Sequence, residues 1–345
     1  MPESTLRLPG FWPRLIKRAR TTLNLPRLWR HWKNGRTDLT GAWPNRLYIE
    51  ITNACNLDCI MCPTGLHILG RPTGNMEESL FRRIVNEMAP HVQQTTLHIW
   101  GEPLLHPKLV PMIRYAREAG IEVSLSTNAT ILDEARAREL LTSGLTEIYL
   151  CLDGMDAATY EAIRRKADFA TTVANIERFI DLKSRHGGAV PAPKTHVQLI
   201  EMAPTRAQAD AFRAHWSRPG VDHVNVKAFD SWGNQVKEIN RLRAPHEGAE
   251  RPDRWHCPLL WYHAHVYVDG TMTCCDRDFG AKYPLGNVAE AGSVMAVWNG
   301  AGMKALRAKH LVNDLKDVPP CRGCTEWSWW KPGPFSAHGN APGDR

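Results

Sequence analysis

No segment of the 345-residue sequence is apolar enough to cross a membrane, because every window falls short of the run of about 18 apolar residues that a spanning helix needs. The stretch 6–20 is interrupted too often by arginine and lysine to act as the apolar region of a secretory signal. The sequence also lacks solenoid-type repeats and low-complexity tracts. The lack of a spanning segment and of a secretory signal argues against a membrane-spanning or secreted protein, and we expect a cytoplasmic one.

Positive charge is concentrated at the N-terminus. Residues 1–46 hold ten Lys/Arg and two acidic side chains, a net +8, whereas the whole chain carries +7. We predict a basic amphipathic arm over residues 1–44, because its apolar side chains follow helical spacing at Trp12, Leu15, Ile16, Ala19 and Leu23. We favour a helix packed on the body with a solvated basic face; the alternative is contact with a membrane surface or an acidic partner.

From residue 46 onward, short β-branched runs alternate with amphipathic helical patterns. The predicted strands are 46–51, 95–100, 121–126, 147–152, 196–202 and 223–228, and the helices between them are 77–88, 107–119, 133–141, 157–186 and 205–216. Alternation of this kind predicts parallel strands joined by right-handed crossovers. The sequence therefore predicts an α/β fold with a partial, TIM-like (β/α)6 barrel and a site at the C-terminal strand ends.

A smaller unit is predicted after the barrel. An Asp-Gly turn at 269–270 predicts a β-hairpin over 263–275, and residues 292–309 have a helical pattern. The tail is rich in proline, glycine and alanine. The predicted divisions are an arm at 1–44, a barrel at 45–230, a connector at 231–256, a small C-terminal domain at 257–330 and a disordered tail at 331–345.

The nine cysteines fall into two groups, with Cys151 apart, which in a cytosolic chain favours metal binding over disulfides. The first group is Cys55, Cys59 and Cys62, directly after the first predicted strand. Three thiolates on one loop can hold three irons of a [4Fe-4S] cluster and leave the fourth iron open to another ligand. A structural zinc ion fits this three-cysteine group poorly, since structural zinc sites are formed by four protein ligands.

The C-x3-C-x2-C run in this position resembles the radical S-adenosylmethionine (SAM) superfamily, and the resemblance continues at the next three strand ends. Gly101-Glu102-Pro103 resembles the segment that receives the methionine amino group, and Ser126-Thr127-Asn128 resembles the segment that meets the ribose. Asp153, followed by Arg164, resembles the stretch whose arginine reaches the SAM carboxylate. Met61 stands where the family places an apolar residue against the adenine.

The resemblance implies a specific chemistry. SAM would chelate the open iron, and an electron from the reduced cluster would break a carbon–sulfur bond. The resulting 5′-deoxyadenosyl radical would remove a hydrogen atom from the substrate. An electron donor such as flavodoxin or ferredoxin is implied as a partner. The family's usual serine before the Asp-Gly of the fourth strand is absent, and Cys151, two positions before Asp153, is interpreted as a buried strand thiol.

The second cysteine group resembles the SPASM/twitch extension of these enzymes, which holds an auxiliary [4Fe-4S] cluster. The spacing C-x12-G-x4-C, followed by C-x2-C, assigns Cys257, Cys275, Cys321 and Cys324 as ligands, with Cys274 as a spare. No cysteine follows Cys324, so ligands remain for one auxiliary cluster rather than two. Zinc is the alternative here, because four thiolates also suit structural zinc.

The leading functional hypothesis is oxidation of a small polar alcohol, with the auxiliary cluster as the acceptor of the second electron. It rests on similarity to the twitch-type alcohol dehydrogenases of aminocyclitol biosynthesis. Glu201, Lys227 and Asp230 are candidates for the general base by position alone. The alternatives are peptide modification, a redox-neutral epimerisation with Cys274 as hydrogen donor, and a non-catalytic metal- or nucleic-acid-binding protein. A small-molecule substrate is expected over a peptide.

Overall fold

The computed structural model describes residues 23–244, 254–329 and 331–334. The N-terminal arm up to residue 22 and the tail from residue 335 lie outside the described residues, as does most of the predicted amphipathic helix. Residues 23–33 form the first described helix, α1. The predicted domain divisions stay a prediction.

One nine-stranded sheet forms the body, in the order β11-β10-β9-β1-β3-β4-β5-β7-β8. Its strands are β1 (Arg46–Ile49), β3 (Gln94–Thr96), β4 (Glu122–Thr127), β5 (Glu147–Cys151), β7 (Lys194–Glu201), β8 (His223–Ala228), β9 (His263–Val266), β10 (Thr271–Thr273) and β11 (Gly286–Asn287). A separate pair joins β2 (Asp58–Cys59) to β6 (Arg164–Arg165). The six strands from β1 to β8 in the main sheet pair in parallel, which confirms the predicted partial barrel.

Helices cover the outer face of the barrel because each presents one apolar stripe to the strands. In α2, the five apolar side chains on one face, from Leu80 to Met88, are buried. The helices are α2 (Glu78–Met88), α3 (Leu109–Glu118), α4 (Glu134–Thr142), α5 (Ala157–Ile163), α6 (Phe169–Ser184), α7 (Ala209–Trp216), α8 (Lys237–Asn240), α9 (Leu259–Tyr262), α10 (Val288–Ala291), α11 (Val294–Trp298), α12 (Ala301–Leu311) and α13 (Pro319–Arg322). Short 3₁₀ turns lie at Pro103–Leu105, Arg206–Gln208 and Glu326–Ser328.

The C-terminal unit continues the barrel sheet. Strand β9 pairs in parallel with β1, with Arg46 opposite His263, and antiparallel with β10. Gly270 closes the predicted hairpin with a φ of +87°, a conformation that favours glycine. The second cysteine group is thereby attached through backbone hydrogen bonds to the strand that precedes the first group.

Two predicted helices are each divided in the structure. The helix predicted over 157–186 ends at Ile163, because the next two residues, as β6, pair with the cysteine-loop strand β2. The helix predicted over 292–309 is interrupted at Gly300, where a Cβ atom would lie 2.8 Å from the carbonyl oxygen of Ala296. Helical periodicity carries no signal of the first break, since that break depends on a pairing partner distant in sequence.

Candidate active site and auxiliary metal centre

The first cysteine loop leaves the C-terminal end of β1 and is fixed by backbone contacts. Cys59 pairs with Arg164 in the β2–β6 ladder, and the Cys62 amide donates to the Cys59 carbonyl at 3.2 Å. A Cβ atom on Gly65 would lie 2.3 Å from the Cys59 nitrogen, so only glycine allows this approach. The structure therefore brings Cys55, Cys59 and Cys62 to one loop end, as the sequence predicted.

The thiols of this loop suit a metal cluster chemically. Burial raises the pKa of Cys55 to about 11, and burial also raises the pKa of Cys59. Cys62 lies near enough to contribute to both shifts. Without a metal these two thiols therefore keep their protons at neutral pH, and iron binding has to release them. Soft thiolate ligands select iron–sulfur clusters, zinc or Cu(I) rather than hard cations, so the residues fit the implied group.

The segment after β3 packs directly against the cysteine loop. Gly101 has a φ of +87°, and a Cβ atom there would lie 2.7 Å from the carbonyl oxygens of Thr52 and Ala54. The Glu102 amide donates to the Ala54 carbonyl at 2.7 Å. Glycine is thus required for the close approach that joins the first two strand ends.

The Glu102 carboxylate connects the second and third strand ends. It is 2% exposed and accepts hydrogen bonds from the Leu104 amide (3.0 Å), the Thr127 hydroxyl (2.7 Å) and the Asn128 amide (2.7 Å). Burial raises its pKa, and these donors oppose the shift. Pro103 opens the 3₁₀ turn that aims the Leu104 amide. Two of the predicted SAM-contact segments, Gly101-Glu102-Pro103 and Ser126-Thr127-Asn128, are therefore joined by hydrogen bonds.

Further contacts tie the third strand end to its neighbours. The Asn128 side chain donates to Asn56 at 3.0 Å, which links it to the cysteine loop. The Ser126 amide donates to His98 Nδ1 at 2.9 Å, and its hydroxyl lies 2.9 Å from Cys151 Sγ. Cys151 is buried among strand side chains, and the structure does not bring it to either cysteine group.

Asp153 and Arg164 form a buried ion pair. Arg164 Nε and Nη2 donate to one Asp153 oxygen at 2.9 and 2.7 Å, and the Ile200 amide donates to the other at 2.7 Å. Asp153 is 0% exposed and Arg164 is 7% exposed. The guanidinium lies close enough to the loop thiols for its positive charge to oppose the rise that burial causes in the pKa values of Cys55 and Cys59. The sequence motif implies a SAM contact for Arg164 and carries no signal of its ion pair with Asp153.

Met61 is 6% exposed, and its carbonyl accepts a hydrogen bond of 2.8 Å from the Trp232 indole. Trp232 follows β8, adopts a φ of +53° and packs edge-on against Trp100 with ring centroids 4.8 Å apart. This contact connects the cysteine loop to the chain segment that leaves the barrel.

The second cysteine group encloses a cavity in the C-terminal unit. Its lining includes all four predicted ligands: Cys257, Cys275, Cys321 and Cys324. Cys274 does not line it; instead, a hydrogen bond from its thiol lowers the pKa of Cys321. The remaining charged or titratable lining residues are Arg254, Arg277, His310 and Glu326. The four thiols fit a four-iron cluster with one cysteine on each iron.

Single-ion binding fits the described residues less well. Within residues 23–244, 254–329 and 331–334, no three His, Cys, Asp or Glu side chains converge closely enough to hold one metal ion. A tetrahedral zinc ion draws its thiolates to about 2.3 Å from one centre, whereas a cluster spreads them over several irons.

A second, polar cavity lies between the barrel and the C-terminal unit. It encloses about 540 Å³ of empty space including its mouth, and among its lining residues are Lys227 and Asp230. Glu201, the third candidate base, does not line it and pairs with Arg206 at 3.6 Å. The other polar lining residues are not among the candidate bases that the sequence suggested: Tyr48, His263, His265, Asp276, Arg277 and Glu326. Only three-dimensional pairing of β9 with β1 places the histidines there.

A partial barrel with a three-thiol loop at its first strand end and a four-thiol cavity in its C-terminal unit defines an iron–sulfur enzyme of the SAM-cleaving kind. The family models agree. The Radical SAM superfamily model matches residues 49–195, and the model of the SPASM iron-sulfur cluster-binding domain matches residues 257–325. The chain belongs to the radical SAM superfamily and carries an SPASM domain. The radical SAM domain implies SAM and a [4Fe-4S] cluster as cofactors. The SPASM domain implies additional iron–sulfur clusters.

Known relatives include proteins of different activity. The AdoMet-dependent heme synthase of Methanosarcina barkeri is 30% identical over 39% of this chain, and the PqqA peptide cyclase of Rhodopseudomonas palustris is 27% identical over 38%. The matched segments span 38% and 34% of those proteins' own lengths. The crystal structure of BtrN with AdoMet and 2-DOIA is similar over 82% of this chain and 93% of that chain, with a TM-score of 0.54 and 16% identity. At that identity the likeness concerns the fold.

Within the described part of the chain, no helix is long and apolar enough to cross a membrane.

Proposed function

We propose that the chain oxidises a small polar alcohol to a ketone by radical SAM chemistry, with the auxiliary cluster as the acceptor of the second electron. Bound SAM and its cluster supply the hydrogen-abstracting radical. The observation that carries the proposal is the polar cavity lined by Lys227 and Asp230, which shares three lining residues with the four-thiol cavity. A substrate in the polar cavity would therefore lie next to an electron acceptor.

The proposed cofactor contacts are those that the resemblance to radical SAM enzymes implies, and the geometry of the strand ends supports them. Cys55, Cys59 and Cys62 would hold the SAM-binding cluster. The SAM contacts would come from the following residues: Met61, Gly101, Glu102, Pro103, Ser126, Thr127, Asn128, Asp153 and Arg164. Glu102 supports this assignment because it holds the second and third strand ends together at a buried position. The chain's own contribution is to fix these segments and to exclude water.

Asp230 is the proposed base for the hydroxyl proton. It is 6% exposed and lines the polar cavity, and burial raises its pKa to about 7, against the opposing effect of Arg277. A carboxylate with a pKa near neutrality suits proton abstraction at that pH. Lys227 also lines the cavity, and its ammonium group suits stabilisation of an oxygen anion.

The remaining polar groups of the cavity suit a hydroxyl-bearing substrate. His265 is 2% exposed, and its Nδ1 has no hydrogen-bond partner among the described residues. Tyr48 stacks on the His265 ring with centroids 4.6 Å apart and fixes its plane. An unpaired buried ring nitrogen is costly unless a bound group pairs with it. Burial lowers the pKa of His265 to about 4, so the ring is neutral and can pair with a hydroxyl.

Peptide modification is the second candidate, and the curated relatives support it at least as well as small-molecule oxidation. The specific observation is the similarity to a PqqA peptide cyclase. In this case a polar side chain of the peptide would enter the same cavity. Epimerisation has less support, because the proposed hydrogen donor Cys274 is 1% exposed and lines neither cavity.

The test is deuterium transfer into 5′-deoxyadenosine. Reconstituted protein is incubated with a panel of polyols and aminocyclitols deuterated at the carbinol carbons, and in parallel with a panel of α-deuterated peptides. Label arriving from a polyol, with a ketone product, supports the proposal; label arriving from peptides alone contradicts it and supports the second candidate. Asp230→Asn is expected to abolish the ketone while the Glu201→Gln control retains it, since Glu201 lies outside the cavity.

A further inference from the structure

The two cavities described above share a wall of three residues. Leu259, Arg277 and Glu326 line both the four-thiol cavity and the polar cavity, and we call these three residues the partition. Arg277 is 6% exposed, and its guanidinium is the cationic member of the partition. A buried charge in this position acts on both sides through a medium that screens it weakly.

The contacts of Arg277 differ on its two sides. Toward the polar cavity, Nη2 donates to Asp230 at 2.6 Å and Nη1 donates to Asp276 at 2.9 Å. Both carboxylates line the polar cavity and neither lines the four-thiol cavity. The two hydrogen-bonded counter-charges of the guanidinium therefore lie on the substrate side, and its Nε edge is left toward the thiols.

The third donor of Arg277 is unpaired. Nε is buried and forms no hydrogen bond among the described residues, and the nearest carboxylate oxygen, Glu326 Oε2, is 3.8 Å away. That oxygen instead accepts the Cys324 thiol at 2.9 Å. Once Cys324 becomes a thiolate ligand it has no proton to donate, so the Glu326 oxygen and the Cys324 sulfur both become acceptors that Nε can serve.

We propose that Arg277 raises the reduction potential of the auxiliary cluster, with Nε directed at the cluster side of the partition and the terminal nitrogens anchored by Asp230 and Asp276. Reduction adds one electron and hence one negative charge to the cluster, and a buried cation beside it stabilises that form. No bond is made or broken in this step. The proposal rests on the four-thiol ligand set of the proposed function and is independent of the substrate.

The experiment measures the midpoint potential of the auxiliary cluster by electron paramagnetic resonance, titrating the full-length protein with dithionite. Cys55, Cys59 and Cys62 are replaced together by alanine, so that the signal belongs to the auxiliary cluster alone. Arg277→Gln is expected to shift the midpoint to a more negative value. Asp230→Asn is expected to shift it in the opposite direction, because it removes a negative charge and leaves Arg277 in place.

Two further variants separate tuning from folding. Arg277→Lys keeps the charge and is expected to stay closer to the parent midpoint than Arg277→Gln. Arg322→Gln is the matched control, since Arg322 lies within the Cys321–Cys324 loop but is exposed and does not line the cavity, so its midpoint should not change. If Arg277→Gln assembles four irons and keeps the parent midpoint, the proposal is wrong. If that variant does not assemble, Asp230→Asn decides, and an unchanged midpoint there overturns the proposal.

Discussion

The two thiol sites of this molecule are assembled in different ways. The first takes three thiols from eight consecutive residues, 55–62, held by a strand end and the β2–β6 pair. The second takes four thiols from three segments that are far apart in sequence, at Cys257, Cys275 and the Cys321–Cys324 loop. A local motif thus suffices for the first site. The second exists only where the folded C-terminal unit brings these segments around one cavity.

The arginines beside the two sites differ in the same way. Arg164 directs two of its donors at one oxygen of Asp153 and serves to fix the strand end near the loop. Arg277 donates to Asp230 and to Asp276 through its terminal nitrogens, and its Nε has no hydrogen-bond partner among the described residues. One arginine completes a structural ion pair, and the other retains a donor for the auxiliary site. The first site is therefore expected to be sensitive to loss of structure, and the second to changes of charge.

The largest expected effect is at the first site. Cys59→Ala should lower 5′-deoxyadenosine formation by more than about a hundredfold, because even the outer partners of a metal ligand are worth roughly 10–100-fold. Iron should fall from about eight to about four per chain, since the auxiliary cluster does not depend on this loop. Chromatography of the nucleoside products and iron analysis measure both. Turnover at the parent rate would remove the basis for placing SAM cleavage at this loop.

At the second site, the two adjacent cysteines provide their own matched pair. Cys275→Ser should lose the four irons of the auxiliary cluster, because Cys275 lines the four-thiol cavity. Cys274→Ser should keep them, because Cys274 contacts Cys275 at 3.9 Å without lining the cavity. Both variants should still cleave SAM. Iron counts and the electron paramagnetic resonance spectra of reduced samples distinguish them, and a reversed order would reassign the ligand.

An intermediate effect is expected from the ion pair beside the first site. Arg164→Met leaves Asp153 charged, buried and unpaired, which should cost about 3–5 kcal/mol of unfolding free energy. Urea unfolding measures the loss, and Arg165→Met is the control, because Arg165 is exposed. Equal stability of the two variants would show that the pair does not fix the strand end.

The smallest of these effects is expected at Glu102. Glu102→Gln places an amide against backbone and hydroxyl donors at 2.7–3.0 Å, so one donor is left without an acceptor. The cost should be about 1–3 kcal/mol, with weaker binding of SAM. Equilibrium dialysis with labelled SAM and urea unfolding measure the two losses. Glu139→Gln, on an exposed helix face, should change neither.

The barrel and the cysteine groups were predictable because their signals are local. Strand periodicity located the parallel strands. Gly65 in the cysteine loop and Gly101 after β3 lie so close to neighbouring backbone atoms that a larger residue does not fit. The pairing of β9 with β1 was not predictable, because residues 46–49 and 263–266 carry no local mark of each other. The partition was not predictable either, since Arg277 and Glu326 are distant in sequence and come within 3.8 Å of each other only in the folded chain.

The most direct test of the account is the metal content of the wild-type protein after anaerobic reconstitution. Two thiol sites with these ligands predict about eight irons and eight sulfides per chain, without zinc. Four irons together with one zinc would contradict the assignment of the C-terminal cavity, and zinc alone would contradict the assignment of both sites.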